Sequence, residues 1–183
     1  MSARLFSRPR STGIAAITLR ENDSIVYAIS YINEKYLFIM SKLGKAIKFE
    51  ETGLRHVGRG AMGVRGIKLA DGDEAKNIIA AGDIGYILTV TENGYGKLTE
   101  VSKYRVQKRG GMGVLNIKVT EKTGNVAKSI FLSGEANVVL INSKGIAISF
   151  DAASIRITGR NASGVRLMKL DEGAKVIDAQ IFT

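Results

Sequence analysis

The sequence predicts an all-β chain, a propeller-like array of roughly 50-residue, four-stranded blades, open or incomplete as a ring. Two sets of glycines carry the period. Gly13, Gly63, Gly113 and Gly164 each open an aliphatic-alternating run at intervals of 50, 50 and 51 residues. Gly44, Gly94 and Gly145 sit in turns separated by 50 and 51. A third observation is negative: no window sustains the 3.6-residue period of a helix.

Each element of one unit follows from its residues. Lys35 to Ser41 is apolar on both sides, as an inner strand should be, and Leu43-Gly44 or Asn93-Gly94 supplies the turn. The returning strand carries Ile47 and Phe49 on one face, matched by Ile148 and Phe150 two units later. A loop rich in glycine and arginine follows, Thr52 to Met62, and then an anchor strand over Val64 to Leu69. The acidic turn Asp71-Gly72-Asp73 leads into a last strand around Asn77 to Ala81. The units run 34–83, 84–134 and 135–183, and residues 1–33 hold only the latter part of one. That count does not close a ring, so the chain reads as a piece of a larger protein or as a partner in self-association.

Charge narrows the function. With 27 Lys and Arg against 17 Asp and Glu, the formal net charge is +10 and the pI about 9.9, which predicts a polyanionic partner. Cysteine is absent, so no disulfide framework or thiolate metal site is available and a cytoplasmic setting fits. No apolar run has the length of a membrane span or of a secretory h-region.

The positive charge concentrates in the loop before each anchor glycine. Arginine recurs eight residues ahead of it, at Arg55, Arg105 and Arg156, and four residues ahead, at Arg59, Arg109 and Arg160. The first unit has Pro9 at the second of these places, flanked by Arg8 and Arg10. Lysine recurs five residues after the anchor, at Lys68, Lys118 and Lys169. The fullest loop is Gln107-Lys108-Arg109-Gly110-Gly111-Met112-Gly113, two adjacent cations among three glycines. Arginines in register on successive blades would form a basic track able to neutralise many phosphates of double-stranded DNA without reading its sequence. The competing structural reading pairs each arginine with the acidic turn of the next blade. Aromatic residues are too few for a base-stacking platform.

No catalytic constellation is legible. His56, the one histidine, sits in a basic loop without a carboxylate at motif spacing. Asp71/Asp73 and Asp171/Glu172 lack the spacing of a calcium loop. The glycine-rich loops precede no helix and so do not match a phosphate loop.

Gln107 to Gly113 resembles the basic, glycine-rich box of the C-terminal domain of the bacterial DNA gyrase A protein. Gly58 to Leu69, Thr91 to Lys97 and Gly159 to Val165 resemble the same domain, so the likeness covers nearly the whole chain. Met112 departs from it, occupying a place that is commonly basic. The resemblance implies a β-pinwheel, a propeller variant with strands exchanged between blades, of which this chain matches the last three to four of about six. It leaves 107–113 as either the box itself or a copy in a later blade. It further implies duplex binding, bending and wrapping in support of ATP-dependent negative supercoiling. No catalytic residue or cofactor is expected in this chain; ATP and Mg would be used elsewhere in the enzyme. The partners would be the remainder of the gyrase A protein together with the gyrase B protein, in the bacterial cytoplasm and on the nucleoid. The alternatives are the matching domain of topoisomerase IV, with less wrapping, or a propeller module binding an acidic protein or polysaccharide.

Overall fold

Three antiparallel sheets follow one another along the chain in a computed structural model that describes residues 1–8 and 10–182. Pro9, and Thr183 at the end of the last unit, lie outside the described residues. In the first sheet, β1 (Tyr36–Ser41) and β2 (Lys45–Glu50) form a hairpin, and β3 (Ala75–Ala81) pairs on the far side of β1. The second sheet repeats this with β4 (Tyr86–Thr91), β5 (Tyr95–Glu100) and β7 (Val126–Leu132). The third has β8 (Asn137–Asn142), β9 (Ala147–Asp151) and β11 (Val176–Phe182). Gly44 and Gly94 take positive φ at the hairpin turns, as the sequence predicts. Short 3₁₀ turns at Glu51–Gly53, Val101–Lys103 and Ala152–Ser154 follow each hairpin.

The fourth strand of a sheet comes from the next unit. β6 (Val114–Leu115) pairs with β2, placing Val114 opposite Ala46 and Leu115 opposite Lys45. β10 (Val165–Arg166) pairs with β5 in the same way, Val165 opposite Gly96. Isolated parallel bridges, Lys48 to Val106 and Leu98 to Ile157, extend each junction into the loop ahead of the anchor. The all-β, strand-exchanged reading holds. The expected anchor strand over Val64 to Leu69 does not: no strand forms there, and the anchors that do pair span two residues each. An anchor becomes a strand only against the hairpin of the unit before it, and the described residues of 1–33 contain no hairpin to receive Val64.

The cores lie between blades as well as within them. Phe38, Met40 and Ile79 of one unit pack with Ile87, Val101 and Tyr104 of the next, and the Phe38 and Tyr104 rings meet edge to face at 5.3 Å. Leu88, Leu98, Val138, Leu140, Ile155 and Met168 form the corresponding core one unit later. A buried polar chain crosses the same space. The Tyr104 hydroxyl donates to Asn116 Oδ1, Asn116 Nδ2 donates to Thr89 Oγ1 at 3.0 Å, and Ser129 Oγ lies 3.1 Å from that hydroxyl. Asn77 Nδ2 on β3 donates to the Ser129 carbonyl at 2.8 Å, tying two blades together. Successive blades therefore cannot rotate independently, and their loops are held in a fixed relation.

Candidate nucleic-acid interface

A repeated backbone hydrogen bond sets the spacing of the basic loops. Thr18, Lys68 and Lys118, each five residues after an anchor glycine, donate their N–H to the carbonyls of Ala61, Gly111 and Ala162 at 3.2, 2.9 and 3.2 Å. Each acceptor lies two residues before the next anchor glycine. Each of these three anchor segments thus carries the following unit's basic loop, and the lysine side chains at 68 and 118 project exposed beside that bond.

The residues nominated from sequence fall into two groups. Arg8, Arg10, Arg55, Lys68, Arg105, Lys108, Arg109, Lys118, Arg156 and Lys169 are exposed. Arg59 and Arg160 are half-buried and bound to the preceding anchor segment: Arg59 Nη1 donates to the Ala15 carbonyl at 3.4 Å and Arg160 Nη1 to the Leu115 carbonyl at 2.9 Å. The two acceptors are equivalent, each two residues past its anchor. Arg109 breaks the pattern and directs Nε to the Gly53 carbonyl at 3.4 Å. The series four residues before the anchor is therefore partly a set of stitches between units, whereas the series eight residues before it is open to solvent. Arg8 and Arg10 meet Arg59 around one cavity of about 420 Å³ with Gly13, Ile14 and Ala15.

Gln107, Lys108 and Arg109 of the loop 107–113 line a cleft of about 740 Å³ shared with Phe49, Glu50, Thr52, Gly53 and Val106. The Gln107 N–H donates to the Lys48 carbonyl at 2.8 Å, while its Nε2 is buried without an acceptor. Gly110 has φ of 80° and donates to the Gly66 carbonyl at 2.6 Å; Gly111 closes against Ile47. Gly113 has φ of 69°, and a Cβ there would stand 2.5 Å from the Ala46 carbonyl oxygen. Gly164 repeats this against Gly96. These glycines are fixed by the strand exchange; nothing in their geometry requires a ligand.

Electrostatically, the nominated cations are free of carboxylates. Among the described residues the ion pairs are Lys35–Asp83, Lys42–Glu74, Lys103–Glu100, Lys128–Asp178 and Lys175–Glu92, with His56 at 3.8 Å from Glu51. None includes a nominated arginine or lysine, so the pairing of loop arginines with acidic turns does not occur there. Those turns serve the strands: Asp73 Oδ1 accepts from the Leu43 N–H at 2.9 Å and Glu74 pairs with Lys42 at 3.0 Å. His56 does have a carboxylate near it, one that also accepts from the Tyr31 hydroxyl at 2.9 Å.

Four exposed cations beside these loops escaped sequence reasoning. Arg65 and Arg166 sit two residues after their anchors, and Lys103 and Lys122 lie in turns. Arg166 Nη2 donates to the Tyr95 hydroxyl at 3.0 Å, with its guanidinium 5.5 Å from that ring; Lys122 approaches the ring at 5.6 Å. With Lys169 they surround a cleft of about 340 Å³. The signal was the shared Gly-Val-Arg of two anchors. Lys48 and Lys97 are buried instead. Lys48 Nζ lies 3.9 Å over the Tyr36 ring, and burial lowers its pKa.

Fold and surface together define a strand-exchanged array of β-blades whose nominated loop cations form no ion pair among the described residues. Comparison with known proteins makes this specific. The family described as DNA gyrase C-terminal domain, beta-propeller, matches residues 1–31, 35–81, 85–128 and 136–183. The DNA gyrase A protein of Lawsonia intracellularis (strain PHE/MN1-00) is 40% identical over 179 residues, covering 96% of this chain and 22% of that protein. Its counterpart from Klebsiella oxytoca is 38% identical, covering 96% and 20%. A solved DNA gyrase A C-terminal domain superposes with a TM-score of 0.87 at 29% identity, over 94% of this chain and 59% of that one. The C-terminal domain of DNA topoisomerase IV superposes with a TM-score of 0.88 at 20% identity, over 97% and 56%, a likeness of fold. The chain belongs to the DNA gyrase C-terminal domain family, and its fold is the β-pinwheel. It spans about a fifth of the length of the curated relatives it matches.

Proposed function

We propose that this chain binds duplex DNA without sequence preference along its basic loops, bending and wrapping it as part of the C-terminal domain of a DNA gyrase A protein. The observation that supports this most is the run of Arg55, Arg105 and Arg156. They are exposed, free of carboxylates, and spaced by a junction that repeats unit after unit. Bending costs several kcal/mol over a few tens of base pairs, so contacts from several blades must act together to offset it. On this reading the rest of the gyrase A protein and the gyrase B protein supply the chemistry, with ATP and Mg bound there. The domain's part is to deliver a neighbouring duplex segment and bias the hand of the crossing, in the bacterial cytoplasm. The 40% identity to a gyrase protein supports gyrase over topoisomerase IV.

The test is duplex affinity over a salt series for an Arg55/Arg105/Arg156→Ala triple variant. At about 0.9 in the log–log slope per phosphate contact, the slope should fall by nearly three. An unchanged slope would sink the assignment. Circle-ligation with the same proteins reads bending, and absence of bending with tight binding would favour the topoisomerase IV alternative.

A further inference from the structure

Lys97 is the chemical oddity of the chain. It lies on β5 with no exposed surface, at the place in the fifty-residue register held by Ile47 and Ile148 in the neighbouring hairpins. Lysine is almost never fully buried unless a partner repays its desolvation. Here no carboxylate does so. The Nζ donates to the carbonyls of Gly159 at 2.6 Å and Arg160 at 3.0 Å, in the basic loop of the following unit. That loop turns sharply, with the Ala162 N–H returning to the same Gly159 carbonyl at 3.2 Å. Ile47, in the same place one unit earlier, can only pack beneath Gly111.

We propose that Lys97 is a positioning residue for the DNA-contacting loop 159–162, its buried ammonium drawing two consecutive carbonyls inward so that the loop is ordered before a phosphate backbone arrives. The inference rests on the proposed duplex binding and adds a specific part to it. Among the described residues the N–H groups of Arg160 and Asn161 have no protein acceptor, and with Lys103 the two residues line a cavity of about 290 Å³. Successive backbone N–H groups of this kind favour anions. The ammonium adds a positive charge under the loop, where the surroundings screen it less than water would.

The arrangement costs stability, which separates it from an ordinary core contact. Burial, and then the Arg160 charge, push the Lys97 pKa down to about 8. The other titratable or charged groups around the loop are Lys118, whose N–H donates to the Ala162 carbonyl, Lys103, paired with Glu100, and Tyr104, whose hydroxyl burial holds neutral. Thr89, opposite Lys97 on β4, carries no charge. A purely structural lysine should weaken the fold when removed; Lys97, replaced by the isoleucine its neighbours use, should leave the fold as stable or more so.

The experiment measures Tm and affinity for a fluorescent linear duplex for the wild type, Lys97→Ile and Lys97→Met, at constant salt from about pH 7 to pH 9, bracketing that pKa. The expected result is an equal or higher Tm for a folded variant, with duplex binding weakened on the order of threefold to tenfold at neutral pH. Wild-type affinity should fall across the range more steeply than that of either variant. Folded variants that bind as tightly as wild type, with the same pH profile, overturn the role of Lys97 and leave the duplex reading standing. If wild type itself fails to bind at low salt, the duplex reading falls, and this inference with it. Should isoleucine prevent folding, methionine keeps the length of the stem and carries the comparison.

Discussion

A lysine without a carboxylate and a glycine without room for a methyl group show what single residues are asked to do here. The buried Lys97 gives stability a definite pH dependence. Its pKa is near 10.5 unfolded and about 8 folded, so between those values the unfolded chain binds more protons. Stability from this group therefore rises as pH climbs from about 8 toward 10.5, and its penalty is fully present below that window. Denaturant midpoints should show this upward trend in wild type and lose it in Lys97→Ile. At Gly113 both strain and space are decisive. Positive φ costs a non-glycine residue about 1–2 kcal/mol, and a Cβ would meet the Ala46 carbonyl as well. Gly113→Ala should thus cost roughly 2 kcal/mol or more in urea unfolding, whereas Gly134→Ala, at an open position without positive φ, should be near neutral.

Elements in this chain are defined by their neighbours more than by their own residues. Hairpins β1–β2 and β4–β5 were legible because their apolar pattern, turn glycines and pairing all fall within one unit. The anchors were not. Val64 to Leu69 alternates as well as Val114 to Lys118, yet only the latter has a hairpin to pair with, and only over two residues. Alternation reports which faces are apolar; it cannot report whether a partner in another unit is present. The basic loops were legible in position and charge. Their internal difference was hidden, because Arg55 and Arg59 look alike in sequence while only Arg59 donates to a backbone carbonyl of the unit before. Lys97 could have been found by aligning it with Ile47 and Ile148 in the fifty-residue register. The buried chain through Tyr104 gives the element-scale test. Tyr104→Phe leaves the Asn116 oxygen with only the long 3.4 Å donation from Thr89 and should cost about 1–3 kcal/mol, read as a lower Tm with unchanged duplex affinity per folded molecule.

The whole molecule is built on one repeated junction, formed twice among the described residues. At each junction that forms, a turn glycine (Gly44 or Gly94) and an anchor glycine (Gly113 or Gly164) press against the partner's backbone. Gly145 and Gly13 have the same positive φ and nothing within 4 Å. Each is the counterpart of a glycine that presses on a partner's backbone elsewhere: Gly145 of Gly44 and Gly94 at the hairpin turn, Gly13 of Gly113 and Gly164 at the anchor. The junction recurs at a period of about fifty residues, while side chains inside it vary, as with Lys97 in the place of Ile47. On the proposed duplex binding, the basic loops recur in quanta of about fifty residues, each adding its own set of phosphate contacts. On that proposal the length of duplex held would be counted in blades, digital where a single binding surface would be tuned by degrees.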